Sequence, residues 1–265
     1  MQIGYNQATS MKYSSLEADV ALCKKYGFDG LEMQTALMDK YMSLHSLNDL
    51  KELFCNSGVK AFPINAFTDF NIPGEGNNAR LSYLCECANA AGADTVILVP
   101  GLREISPAET VEAIGNYAGI AAGYGIGLAL EFLGFAESSV CSLEEACAIA
   151  EHIPGLRLVL DCAHIMGGTT DPSAILKLSQ ERIASVHIND LRCKQSGIYS
   201  DSDRVWPGDG DMILPEILQN LKTIGYDGII SIELFNEEYW GWPVEDIFAA
   251  AMEKTKACLV DRLGE

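Results

Sequence analysis

Glu131, Asp161, His187 and Glu233 each lie in a short run of mostly apolar residues, at 126–132, 156–161, 183–190 and 228–234. Runs of this kind suit strands buried on both faces. A carboxylate at the end of such a strand is costly to desolvate unless it is paired or bound to a cation. Taken singly, each of these residues is as readily a helix cap or a salt-bridge partner. Four in consecutive runs point instead to one shared divalent cation that offsets the repulsion among three carboxylates. Three oxygen donors and one imidazole suit Mn²⁺ or Zn²⁺, with Co²⁺ and Mg²⁺ as further fits. A single His and no thiolate argue against a closed structural zinc site. A cation bound to a carbonyl and its neighbouring hydroxyl stabilises an enediolate. Two carboxylates beside it can take a proton from one carbon and return it to the next. Glu131 and Glu233 are the candidates for that work.

The elements that must position these residues follow from the alternation of the chain. Strand-like runs at 2–6, 30–33, 60–66, 94–99, 127–132, 156–161, 183–190 and 229–234 alternate with helical patterns. Several helix starts are marked: Ser46-Leu47-Asn48-Asp49, Ser106-Pro107-Ala108-Glu109 and Ser142-Leu143-Glu144-Glu145 all carry a capping serine with an acid three residues on. Asp171-Pro172 opens a short helix, and a long polar loop spans 191–211. Eight strands alternating with eight helices predict a (β/α)8 TIM barrel of the α/β class, a single domain over residues 1–265. An open doubly wound sheet is the rival, but it places a glycine-rich loop after its first strand. Here that segment is Asn6-Gln7-Ala8-Thr9-Ser10. In a barrel the C-terminal strand ends converge on one mouth, so the four residues would meet there.

A net charge of −19 argues against a nucleic-acid backbone or an anionic membrane as partner. The expected partner is a small polyol or keto-sugar. It is expected to lack phosphate, because the acids of Gly208-Asp209-Gly210-Asp211 would repel one. Nine cysteines without a C-x-x-C pair suggest reduced thiols and a cytoplasmic protein. The first ten residues lack the basic and apolar regions of a signal peptide, and no run is long enough to span a bilayer. Self-association into a homo-oligomer is left open.

The motifs Leu130-Glu131-Phe132, Leu160-Asp161-Cys162-Ala163-His164, Val186-His187-Ile188-Asn189-Asp190 and Ser231-Ile232-Glu233-Leu234 resemble the xylose-isomerase-like superfamily of sugar isomerases and epimerases. The resemblance covers nearly the whole chain. It sharpens toward the inosose isomerases of inositol catabolism at Asn6-Gln7-Ala8-Thr9, at His45-Ser46-Leu47-Asn48-Asp49-Leu50, at Ile64-Asn65-Ala66 and at Asp203-Arg204-Val205-Trp206-Pro207-Gly208. It implies a metal-dependent interconversion of 2-keto-myo-inositol and 1-keto-D-chiro-inositol, with Glu131, Asp161, His187 and Glu233 as ligands. It also implies substrate contacts by His164 and Arg204. Glu137 matches a substrate-contacting Glu of the ketose 3-epimerases, and the inosose isomerase pattern does not require an acid there. Asn65 is expected to line the pocket, and Trp206 either lines it or packs into the core or the loop. Asp190 is expected to orient His187 or Arg204.

Two other readings belong beside this one: a ketose 3-epimerase acting on unphosphorylated sugars, and a non-catalytic sugar-binding barrel. The apurinic endonucleases share the superfamily, but they need a His-rich trinuclear site and a basic face. Four histidines and a charge of −19 do not fit that pattern.

Overall fold

The structure, a computed structural model, describes residues 1–263. In chain order the strands are β1 (Gln2–Asn6), β2 (Gly30–Gln34), β3 (Lys60–Thr68), β4 (Thr95–Val99), β5 (Gly127–Glu131), β6 (Arg157–Asp161), β7 (Ile183–Ile188), β8 (Asp190–Leu191), β9 (Arg204–Val205) and β10 (Ile229–Ile232). The helices are α1 (Leu16–Tyr26), α2 (Thr35–Met42), α3 (Leu47–Ser57), α4 (Asn77–Ala91), α5 (Pro107–Gly123), α6 (Leu143–Glu151), α7 (Cys162–Gly167), α8 (Leu214–Thr223), α9 (Glu237–Trp240) and α10 (Val244–Leu263). Eight parallel strands close in the order β1-β10-β7-β6-β5-β4-β3-β2, and β8 and β9 form a separate antiparallel pair. This is the TIM barrel that the alternation predicts.

Local signals explain most of the elements. Capping boxes start α3 at Ser46 and α5 at Ser106, and Gly27, Gly58 and Gly92 end α1, α3 and α4 in the left-handed region. The barrel interior is filled in part by small residues, Ala66, Ile97, Ala129, Val159 and Ala184. Phe62 lies so close to β1 and β2 that a Cβ at Gly4 or Gly30 would come within 2.7 and 2.6 Å of its ring. Glycine is required at both places by that approach.

Two departures from the eight-helix expectation stand out. Helix α2 follows β2 directly, and Gln34 gives its N-terminus no side-chain cap, so no start signal marks it. The crossover from β6 to β7 holds short α7 and two 3₁₀ segments, Pro172–Lys177 and Gln180–Arg182, in place of one full helix. The polar loop is also more ordered than its composition implies, because β9 folds back on β8. No helix among the described residues is long and apolar enough to cross a membrane.

A buried polar chain ties α1 to the mouth of the barrel. Asp19 accepts from Ser14 Oγ and from Gln7 Nε2 (2.6 Å). Gln7 Oε1 accepts from Gln34 N (3.1 Å), and Gln34 Nε2 donates to Asn6 Oδ1 (3.0 Å). Burial pushes the Asp19 carboxyl up to about 7, although both donors pull it down. The unfolded chain loses this proton near pH ~3.9, whereas the folded chain holds it to about 7. Asp19 therefore favours the fold most below pH ~4, loses that advantage as pH rises to 7, and adds no further dependence above it. Asp19→Asn should remove this slope. Relative to wild type, its stability should rise by about 4 kcal/mol between pH 4 and pH 8, on top of a constant offset from the amide. Urea unfolding at the two pH values measures the difference, and parallel shifts in both proteins would contradict the assignment.

Candidate metal centre and active site

Strand geometry brings the four residues together. Glu131 and Asp161 are the last residues of β5 and β6, His187 lies one before the end of β7, and Glu233 follows β10 directly. Register pairs His187 with Asp161 on one side and with Ser231 on the other. One donor atom from each of Glu131, Asp161, His187 and Glu233 lies within 4.8 Å of every other, and all four residues are buried. His187 Nδ1 is 3.0 Å from Glu131 Oε1, 3.3 Å from Glu233 Oε2 and 3.8 Å from Asp161 Oδ2. Three carboxylates around one imidazole nitrogen, sealed from solvent, are a donor set that fits a divalent cation.

The electrostatics carry the imprint of that crowding. Burial pushes the Glu233 carboxyl up to about 8; His187 pulls the other way, and Glu131 and Asp161 add to the rise. Burial opposes a charged imidazole at His187, but Glu233, Glu32 and Glu131 outweigh it and raise its pKa well above the ordinary value. Burial would also raise Asp161, yet Arg204, His164 and His187 hold it well below the usual carboxylate range. The protein's own cations thus answer only part of the negative charge.

Arg204 is almost fully buried. Its Nη2 donates to Asp161 Oδ2 (3.1 Å), lies 3.8 Å from Glu233 Oε2, and meets His164 Nε2 at 3.3 Å. Its Nη1 binds Asp201, and its guanidinium carbon sits 5.4 Å from the Phe235 ring centroid. Burial keeps His164 below its ordinary pKa. A neutral ring accepting on Nε2 carries its proton on Nδ1. His164 also packs edge-on against Phe135, with 5.1 Å between centroids. His164 is therefore set back from the four-residue cluster and joined to it through Arg204.

The remaining expected residues divide. Asn65 is at the cluster: its Nδ2 donates to Glu233 Oε1 and to Glu32 Oε1, each at 3.0 Å. Trp206 is buried in an aromatic group with Tyr239 (4.6 Å) and Trp242 (6.0 Å). Asp190 does not do what was expected of it. Among the described residues its carboxylate bonds neither His187 nor Arg204; it accepts from the backbone N–H groups of Leu191, Gly208 and Gly210. Those backbone N–H groups occupy its carboxylate, and a Cβ at Gly210 would fall 2.2 Å from Asp190 Oδ1. Glu137 is exposed and lines a surface groove with Arg103, Glu145 and His152, bonded to none of the cluster.

Sequence reasoning missed three buried neighbours. Glu32 Oε1 accepts from His187 Nε2 at 2.8 Å. Asn6 Nδ2 donates to Glu32 Oε1 (3.0 Å) and Glu233 Oε1 (2.8 Å). Asn189 Nδ2 reaches both Asp161 oxygens, at 3.3 and 3.2 Å. Glu32 gives the signal that marked the other acids, a carboxylate inside a short buried strand. Its strand, the second of the barrel, lies apart in sequence from the four consecutive runs.

The segment 192–203 closes over the mouth. Lys194 pairs with Asp203 (2.5 Å), and Tyr199 packs against Gly167, where a Cβ would meet it at 3.2 Å. The cavity left beside His164 and Arg204 is about 10 Å³. That is room for a water, whereas small-molecule pockets run to ~300 Å³ and more.

A buried cluster that fits a cation thus sits at the C-terminal mouth of a closed (β/α)8 barrel, the arrangement of a barrel-type active site. The family described as "Xylose isomerase-like TIM barrel" matches residues 20–258. The chain is 32% identical to the inosose isomerase of Bacillus velezensis, over 97% of this chain and 96% of that one. It is 33% identical to the inosose isomerase of Halalkalibacterium halodurans, over 96% and 95%. The crystal structure of an IOLI protein with a zinc atom superposes with a TM-score of 0.93 at 30% identity, covering 99% of each chain. The chain belongs to the xylose isomerase-like TIM barrel family and is an enzyme of the isomerase class.

Proposed function

We propose that this enzyme interconverts keto-inositols, 2-keto-myo-inositol and 1-keto-D-chiro-inositol, with a divalent cation held by Glu131, Asp161, His187 and Glu233. The observation that carries the reading is the four-donor cluster within 4.8 Å, and full-length relatives named inosose isomerase support it. Zn²⁺ is the first choice of ion, given the zinc in a similar structure, with Mn²⁺ next and Co²⁺ or Mg²⁺ as further fits. When bound, the cation would polarise the carbonyl and its neighbouring hydroxyl and favour the enediolate. One of Glu131 and Glu233 takes the proton from the hydroxyl-bearing carbon, the other delivers a proton to the former carbonyl carbon, and the hydroxyl proton passes from its own oxygen to the former carbonyl oxygen. Arg204 and His164, beside the cluster, hold substrate oxygens. Asn6 and Asn65 fix Glu233 Oε1, leaving Oε2 toward His187 and Arg204. A reducing, cytosolic setting belongs to this reading, because the nine cysteines carry no C-x-x-C pairing.

The 3-epimerase reading loses the residue that favoured it, because Glu137 lies in an exposed groove. The deciding experiment assays inososes beside fructose, tagatose and psicose, in deuterated water, before and after chelation. Inosose turnover with deuterium incorporation, lost on chelation and restored by zinc or manganese, is the expected result. Turnover of ketoses alone would move the assignment to epimerisation. No exchange with any of these substrates would leave a binding barrel, and full activity in metal-free protein would overturn the cation.

A further inference from the structure

Glu32 sits on β2, well around the barrel from His187 on β7, and is fully buried. Its Oε1 accepts three hydrogen bonds, from His187 Nε2, Asn6 Nδ2 and Asn65 Nδ2. The two amides are the same ones that hold Glu233 Oε1. One carboxylate oxygen therefore joins the far side of His187 to the back of Glu233. We propose that Glu32 is a positioning residue for the metal centre: it keeps the proton of His187 on Nε2 and fixes the ring so that Nδ1 is presented to the ion. The inference rests on the metal-site reading of Glu131, Asp161, His187 and Glu233.

The two ring nitrogens of His187 face different company. Nε2 meets Glu32 at 2.8 Å, while Nδ1 faces Glu131, Glu233 and Asp161 at 3.0 to 3.8 Å. An imidazole that gives one nitrogen to a metal keeps its hydrogen on the other. An acceptor at that second nitrogen fixes both the tautomer and the ring plane, and an anionic acceptor makes the donor nitrogen more basic. Glu32 is placed to do all three. It stands outside the four-donor group itself. Asn6 and Asn65 keep its accepting oxygen in place, so the geometry does not depend on the ion.

A purely structural role would make Glu32 a counter-charge to a buried imidazole, with consequences for stability alone. Zinc affinity separates the two. It is measured by competition with a chromophoric chelator in wild type, Glu32→Met and Glu32→Gln, alongside thermal unfolding of the zinc-free proteins. Glu32→Met, which removes the acceptor, should weaken zinc binding 10- to 100-fold. Glu32→Gln should recover part of that loss, because the two Asn amides hold its carbonyl oxygen where Oε1 stood. Nitrogen-15 NMR of zinc-loaded wild type should show His187 bound through Nδ1, with a hydrogen retained on Nε2. Zinc affinity unchanged in folded Glu32→Met would overturn the inference, as would zinc on Nε2. If neither variant folds, the wild-type NMR pattern decides alone. A wild type that takes up no zinc would instead sink the four-ligand reading, an outcome distinct from a variant that binds zinc as well as wild type does.

Discussion

Glu233→Gln is expected to leave a folded barrel that turns substrate over about 10³-fold more slowly. The substitution keeps the shape of the side chain. Its carbonyl oxygen can still accept from Asn6 and Asn65, which now meet Glu233 Oε1 at 2.8 and 3.0 Å. What changes is the other end, where Oε2 lies 3.3 Å from His187 Nδ1 and 3.8 Å from Arg204 Nη2. An amide nitrogen there neither accepts a proton from carbon nor carries charge to a cation. The zinc-free variant should also melt no lower than wild type, because it lacks the acid whose pKa burial, helped by Glu131 and Asp161, has pushed up to about 8. Circular dichroism, thermal melts and turnover measure the three parts. Turnover within threefold of wild type would remove Glu233 from the chemistry.

Arg204→Met should cost the zinc-free protein about 3–5 kcal/mol, because it leaves Asp161 buried without its strongest cationic partner. For a chain of this size that is a fall of roughly 10 °C in Tm. The apolar side chain can still fill space beside Phe235, so the loss comes from charge more than from volume. Added zinc should recover more of the melting temperature in the variant than in wild type, since the ion supplies the positive charge that Asp161 has lost. A zinc-free Tm within about 2 °C of wild type would show that Asp161 is satisfied by other means, with the His164 backbone N–H and the Asn189 amide as its remaining donors.

The barrel was legible because its strands are short, apolar and spaced by capped helices, and each feature has a local cause. Ser46 and Ser106 announced α3 and α5 by the acid three residues on. Helix α2 announced nothing, since its N-terminus relies on the end of β2 for position. The three site acids and His187 stood out because charge inside an apolar run is physically awkward. The partners that make them tolerable, Arg204 at the foot of a polar loop and Asn6 and Glu32 at the other end of the chain, depend on closure of the barrel. Spacing along the sequence does not express that closure. Asp190 differs from expectation for a related reason: side-chain type points to charged partners, whereas its donors are the backbone N–H groups of Leu191, Gly208 and Gly210.

The Asn6–Glu233 hydrogen bond joins residues 227 positions apart, across the seam where β1 pairs with β10. A contact of that span forms only after nearly the entire loop between has been drawn in, so it belongs among the slowest to be made. Chain ends that fray, or a translation product still lacking its last strand, hold at most a fragment of the site. An ion that needs all four ligands requires β10 to be docked beside β7, so its uptake reports that the last strand has joined the sheet.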